Sequence, residues 1–582
     1  MNIFREFEGV IRTILATCVD QGALPPGLPL DRVAVEPPRD PSHGDLSTNA
    51  AMVLAKPAGQ QSRQVATLLA ERLRDNPHVE AVDVAGPGFV NIRLQPSFWQ
   101  ARVADIIREG TRFGASTMGK GQKVNIEYVS ANPTGPMHVG HTRGAIIGDS
   151  LANLLQKAGF DVTREYYFND AGTQVDVLAR TTHLRYREAL GEDIGSIPEG
   201  LYPGEYLKDV GKALVDRDGR RWIGLPESDW LVPVREFAVK YMMDMIRKDL
   251  DLIGIHHQVF TNERDLIENG TLDKAFGILQ ERDLIYTGTL PPPKGKEMED
   301  WEPAPLTLFR STRFGDSTDR PLKKRDGTWA YIMPDIAYHY DKIRRGFDWM
   351  VNLLGTDHGG YLEKMRPVVA AFSDGKAHLD VIFNTIVKVY KNGVLVKLSK
   401  RSGNLITLRE MVEEVGPGAV RFFMLTRGPE TPLEFDFVKV TEQSRDNPVF
   451  YVQYAHARCW SVLRHAAAEG YDVSDQALAG VPLAPLTDPD ELALVKILTT
   501  WPRMVEAAAE AREPHRIPFY LGEVAAAFHG LWNKGKDNAA LRFLMADDRD
   551  TTLARMAMVR AVALVIASGL EVMGVEPVQE MR

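Results

Sequence analysis

Apolar positions in the first twenty residues, MNIFREFEGVIRTILATCVD, recur at helical spacing with acids between them, which predicts an amphipathic helix. A Pro/Gly-containing irregular stretch, Ala23 to Asp45, follows. A helix-like segment from Ser62 to Arg74 and strand-like runs such as FVNIRL (Phe89 to Leu94) come next. Residues 1–112 are therefore expected to form a small α+β domain. KVNIEYV (Lys123 to Val129) alternates as a strand, a Pro/Gly loop follows, and GHTRGAIIGDSLANLLQKAGF reads as a helix. On that helix Ile146, Leu151, Leu154 and Leu155 share a face, and Gly159 supplies the stop. A second strand, Val162 to Phe168, completes a strand–helix–strand unit and implies a parallel sheet.

A long interruption, roughly residues 170–300, is expected after that unit. It contains a helix from about Val234 to Ile253 and a proline-rich loop near residue 295 that reads as exposed. Strand patterns return at Trp349 to Leu354 and Val381 to Tyr390. From Asn447 the pattern changes: Asn447–Pro448 is an N-cap followed by proline at the first helical position, and Ala and Leu recur at helical spacing to the end. The expected domains are residues 1–112, 113–445 and 446–582, the last all-α.

Composition changes little in this picture. The 582 residues, 44% hydrophobic and 25% charged, suit a folded multidomain chain. The two cysteines, Cys18 and Cys459, are far apart and form no CxxC or Cys/His cluster, so neither a zinc site nor a disulfide framework is expected. The N-terminus lacks the basic start and apolar stretch of a signal peptide. The most apolar run, Ala561 to Ala567, is short for a bilayer and reads as a buried helix. A cytoplasmic protein with no membrane partner is expected. The formal net charge of −9 argues against a surface coated in cations, although a local basic patch can still hold RNA.

Two constellations carry chemistry. HVGH (His138 to His141) lies in the loop between a strand and a helix, where helix N–H groups and the positive end of the dipole meet phosphates. His138 and His141 are neighbours on the first turn and can donate to phosphate oxygens, and Gly140 lets a nucleotide approach the backbone. KLSKR places Lys397, Lys400 and Arg401 around Ser399, which suits a triphosphate whose charge must be neutralised as it breaks. Each alone reads as well as a polar turn. A third element, GTDHGG after the strand at 349–354, puts Gly355, Asp357 and His358 where the ribose of ATP could bind, or where the chain simply turns.

Together the HIGH-like and KMSKS-like motifs resemble the signature of class I aminoacyl-tRNA synthetases. The strings EYVSANPTGPMHVGHTRGAIIGD, YYFNDAGTQ, FGDSTDRPL, YIMPDIAYHYDK and NPVFYVQYAHAR resemble arginyl-tRNA synthetases of the bacterial type, over nearly the whole chain. The resemblance implies an α/β multidomain protein with a Rossmann-type parallel-sheet catalytic core. It also implies a small α+β N-terminal domain that touches tRNA and an all-α anticodon-binding domain at the C-terminus.

The same resemblance places arginine against Glu127, Ser130, Asn132, His141, Tyr331 and Asp335, with Tyr331 and Asp335 at the guanidinium. A planar cation with a fork of donors calls for such a carboxylate and a neutral acceptor. ATP, with Mg²⁺, falls to His138, Gly140, His141, Gly355, Asp357, His358, Lys397, Ser399 and Lys400. His138, His141, Lys397 and Lys400 are the catalytic set. The expected partners are ATP, L-arginine and tRNA(Arg), with a monomer as the family norm. Two rivals differ in class or substrate. One is another HxGH nucleotidyl-transfer enzyme, such as a cysteine or methionine synthetase, many of which carry zinc-binding cysteines. The other is a catalytically inactive synthetase-like RNA-binding protein, which loss of these histidines and lysines would favour.

Overall fold

The computed structural model describes residues 2–290, 305–396 and 406–581. The proline-rich run near 295 and the KLSKR segment lie outside the described residues. The chain divides into two compact units. One joins residues 1–118 to 443–572 and 576–582, and the other contains residues 119–442 and 573–575.

In the first unit, the N-terminal helix Ile3–Asp20 buries Phe4, Phe7, Ile11 and Leu15 along one stripe, and Asn2 caps it by accepting from the Phe4 amide. A four-stranded antiparallel sheet follows, in the order Val35–Glu36, Leu46–Thr48, Phe89–Leu94, Val79–Ala85. The C-terminal segment is helical. Its helix Pro448–Ala468 starts as the sequence predicts, with the Asn447 side chain accepting from Val449 N at 3.1 Å. Chain ends far apart in sequence meet inside this unit. Trp501 Nε1 donates to the Phe113 carbonyl and to Ser568 Oγ, each at 3.0 Å. Glu506 accepts from Asn2, Arg5 and Ser116 at 2.6–2.7 Å.

The helix that holds the apolar run is Arg549–Met573, 25 residues, long and apolar enough by those measures to cross a bilayer. Shortness therefore does not decide its role. Burial does: 89% of its most apolar window is covered by the fold, so it serves as a core helix.

The second unit is built on a five-stranded, fully parallel sheet. From edge to edge the strands are His378–Asn384, Trp349–Gly355, Lys123–Glu127, Asp161–Phe168 and Val259–Asn262. Numbered along the chain this is the 3-2-1-4-5 order of the doubly wound dinucleotide-binding fold. The central strand is buried from Val124 to Glu127, as a strand covered on both faces must be. The helix after it, Val139–Lys157, buries the predicted Ile146, Leu151, Leu154 and Leu155 and, beyond one face, Thr142, Arg143 and Asp149. Gly148 lets this helix lie against the strand end, because a Cβ there would stand 2.3 Å from Tyr128 Cγ.

Two local expectations change. The helix expected from Val234 begins at Glu227 and runs through Pro233 to Leu252. The run expected as one strand from Val381 to Tyr390 is two. His378–Asn384 closes the parallel sheet, and Val387–Lys391 joins a separate three-stranded sheet. The break falls at Thr385, whose amide donates to the Pro429 carbonyl at 2.9 Å and whose own carbonyl and hydroxyl accept from Arg143. Apolar alternation continues across the break, so the pattern alone does not reveal it.

Candidate active site

In this strand order the direction in which successive strands are added reverses between Lys123–Glu127 and Trp349–Gly355, and ligands of such sheets bind outside the carboxyl ends at that point. The described candidate residues lie at the carboxyl ends of these two strands, in the segments that leave them, or in the helix that precedes the second and the turn before that helix. The chain leaves the central strand through Val129 and Ser130, both in the left-handed region at φ +70° and +42°. Non-glycine residues hold such a conformation only when their surroundings fix it. Here Ser130 Oγ donates to Glu127 Oε1 at 3.1 Å and accepts from the Tyr167 amide at 3.2 Å. Asn132, exposed, donates to Gln174 and accepts from the Asn169 amide, each at 3.2 Å.

His138 is the N-cap of the helix, its Nδ1 accepting from Gly140 N at 3.2 Å. An accepting Nδ1 puts the ring proton on Nε2. The His141 ring stacks on it, centroids 3.8 Å apart and planes 25° off parallel. A side chain at Gly140 would crowd this pair, since a Cβ would stand 3.1 Å from His138 Cε1. The backbone here is clamped to the segment that follows KLSKR. Val139 N donates to the Ile406 carbonyl at 3.1 Å, and Leu408 N donates to the Met137 carbonyl at 2.9 Å. The two motifs, some 260 residues apart in the chain, thus have adjacent flanks.

Asp335 occupies the first turn of the helix Met333–Arg344, and Tyr331 stands in the turn before it, 89% exposed rather than packed in a strand. Around Asp335 the field is acidic. Burial and the carboxylates of Glu127 and Glu263 push its carboxyl up to about 7, against the weaker pull of Lys364 and Lys342. Glu263 is itself held above the usual range by burial and by Asp170, although Tyr167 Oη donates to it at 3.1 Å. Glu127 differs: it is buried, and its Oε2 accepts from the fully buried Lys342 ammonium at 2.7 Å. Tyr167 stacks on Tyr338 at 4.5 Å, which gives the cluster an aromatic wall. The arrangement attracts a cation: several carboxylates share one region, and only Glu127 among these three carries a close basic partner among the described residues.

Gly355, Asp357 and His358 lie at and beyond the end of the second switch-point strand, all exposed, with His358 Nε2 3.6 Å from Asp357 Oδ2. A Cβ at Gly355 would press on the Asp357 carboxylate at 2.4 Å. Lys397, Ser399 and Lys400 lie outside the described residues.

Two residues of this site were not apparent from the sequence. Glu263 is the first residue of a short helix capped by Asn262, so in sequence it reads as an ordinary first-turn acid. Lys342 reads as an ordinary last-turn cation. Its signal is spacing, because residues 335, 338, 339 and 342 share one helix face.

Comparison with known proteins identifies the family. The N-terminal domain model of arginyl tRNA synthetases matches residues 6–94, the catalytic domain model of class I (R) tRNA synthetases matches 102–424, and the DALR anticodon-binding domain model matches 452–581. The arginine–tRNA ligase of Parvibaculum lavamentivorans is 59% identical and that of Rhodospirillum rubrum 55%, each over 100% of both chains. The solved Thermus thermophilus arginyl-tRNA synthetase shares the fold, with TM-score 0.72 and 21% identity over 99% of this chain and 100% of that one. The chain belongs to the arginyl-tRNA synthetases, enzymes of the class I aminoacyl-tRNA synthetase family.

Proposed function

We propose that this protein activates L-arginine with ATP and then transfers it to the 2′-hydroxyl of the terminal adenosine of tRNA(Arg). The observation that carries the reading is the acidic cluster beside the HVGH helix at the sheet's switch point. Asp335 and Glu263 meet the guanidinium, with Tyr331 covering it from the exposed side. Asn132 and Ser130 face the α-amino and carboxylate end, with His141 beside them. Glu127 acts from beneath, since both its oxygens are already engaged by Ser130 and Lys342.

ATP enters with Mg²⁺ on its phosphates. The arginine carboxylate attacks the α-phosphorus in line, the bond to the β-phosphate oxygen breaks, and pyrophosphate leaves. His138, through Nε2–H, and His141 donate to the phosphates as charge builds, and the helix N-terminus adds its dipole. Gly140 leaves room for the phosphates, while Gly355, Asp357 and His358 take the ribose side. Lys397 and Lys400 neutralise the departing pyrophosphate, and the Ser399 hydroxyl donates to it. No side chain attacks covalently, so positioning and electrostatics supply the acceleration. The 2′-hydroxyl then attacks the arginyl carbonyl and AMP leaves.

The N-terminal domain contacts the tRNA, and the helical C-terminal domain reads its anticodon. The protein works as a cytoplasmic monomer without zinc or a membrane. The test is arginylation: purified protein, ATP, Mg²⁺, arginine and tRNA(Arg) yield arginyl-tRNA, AMP and pyrophosphate. Product without arginine specificity removes the pocket assignment, and no product removes the activity.

A further inference from the structure

A chain of polar contacts, mostly buried, links Ser130 and Glu127 to the backbone of Asp335. It starts at Ser130 Oγ, which donates to Glu127 Oε1 at 3.1 Å. Lys342 Nζ donates to Glu127 Oε2 at 2.7 Å and to Asn352 Oδ1 at 3.1 Å. Asn352 Nδ2 faces His339 Nε2 at 3.4 Å, and His339 Nδ1 meets the Asp335 carbonyl at 2.8 Å. The roles are consistent along the chain. Burial and Lys342 hold His339 down to about 3, so the ring is neutral; its Nδ1–H donates to the carbonyl and its Nε2 accepts from Asn352. Lys342, His339 and Asn352 are each 0% exposed and Glu127 is 4% exposed.

The place of Lys342 in this chain is specific. Glu127 and Asn352 are register partners on the two strands that flank the switch point. One ammonium therefore ties the carboxyl end of the central strand to the middle of its neighbour across the switch point. It comes from the same helix face as Asp335, two turns away. The ammonium also lies over the Tyr338 ring, 4.3 Å from its centroid, and Tyr338 stacks on Tyr167, which donates to Glu263. A buried ion pair is a poor source of stability when set against a well-packed apolar pair, because both ions lose their water. This pair, whose ammonium donates to side chains on both switch-point strands, acts on geometry and charge.

We propose that Lys342 is a positioning residue for arginine recognition: it pins Glu127, and through Glu127 the left-handed Ser130 corner, while cancelling the charge of Glu127 so that the pocket offers its free carboxylates to one incoming cation. This rests on the arginine-activating reading above. Lys342 touches no substrate and acts through Glu127, Asn352 and His339.

The test uses the full-length protein in steady-state arginylation with ATP and tRNA(Arg), comparing Lys342→Met with the double variant Lys342→Met/Glu127→Gln. The single variant leaves a buried carboxylate unpaired and can fail to fold. The double variant removes both charges and keeps an acceptor for Ser130, so it folds. The expected result is a double variant that unfolds near the parent temperature, with arginine KM raised about tenfold and ATP KM within about twofold of the parent. A folded double variant with arginine KM and kcat unchanged would reduce the pair to a core salt bridge and overturn the proposal. Equal increases in the two KM values would overturn it too, because they report general loosening of the site. Failure of the underlying reading is separate: it is absence of arginylation by the unaltered protein, seen before any variant is made.

Discussion

His138 and His141 stack ring on ring, 3.8 Å between centroids, on the first turn of the helix that leaves the central strand. The first ring does two jobs at once. Its Nδ1 caps the helix through the Gly140 amide, and that bond selects the tautomer with the proton on Nε2. The two jobs separate by substitution. His138→Ala is expected to cost about 1 kcal/mol of stability as a lost cap and to slow adenylate formation at least about a hundredfold. His138→Asn restores the cap but lacks the ring donor, so thermal unfolding returns toward the parent value while pyrophosphate exchange stays slow. Full recovery of exchange in His138→Asn would show that the ring matters only as a cap.

Arginine affinity follows pH through Asp335. Burial and the neighbouring Glu127 and Glu263 hold its carboxyl up to about 7 in the empty pocket, against an ordinary 3.8. Below that value it is a neutral acid, and above it a carboxylate that can pair with the guanidinium. Titration calorimetry at pH 6 and pH 8 is expected to show binding about tenfold tighter at pH 8, the ratio of ionised fractions around such a midpoint. The linkage to folding has the opposite sense. The folded state keeps this proton between about pH 4 and 7 while the unfolded chain loses it, so this group lowers the stability of the empty protein as pH rises through that window. Asp335→Asn abolishes the pH dependence of binding. A flat affinity in the parent protein contradicts the assignment.

Glu263 is expected to act on arginine and not on ATP. Glu263→Gln keeps the size of the side chain and its contact with Tyr167 but removes the charge. Arginine KM is expected to rise at least about tenfold in steady-state arginylation, with ATP KM unchanged. Unchanged arginine KM would leave Asp335 as the sole acid at the guanidinium.

Arg143 fixes the HVGH helix to its neighbours. It is fully buried, donates to Gly428 O at 2.8 Å and Thr385 Oγ1 at 3.1 Å, and burial brings its guanidinium down to about 10. Arg143→Met keeps most of the volume and strands those half-buried acceptors. A loss of about 3 kcal/mol in denaturant unfolding is expected. A loss below about 0.5 kcal/mol would mean that the loops rearrange without cost.

Much of this architecture was legible in sequence because it rests on local rules. The Asn447–Pro448 cap, the strand–loop–helix around HVGH and the first-turn place of Asp335 each follow from a few adjacent residues. What escaped depends on residues distant in the chain. The strand break at Thr385 is set by Pro429 and Arg143, so alternation across it misleads. Glu263 and Lys342 look like routine helix-end charges until the sheet brings Glu127, Asn352 and Asp335 beside them. The exposure of Tyr331 comes from the turn that precedes its helix.

The acidic cluster at the switch point is expected to select arginine for activation by ATP. ATP–pyrophosphate exchange with each of the twenty amino acids in turn, with and without tRNA, tests it most directly. Exchange with arginine and with no other amino acid is the expected result. Exchange with a different amino acid, or none under any condition by folded protein, would contradict it.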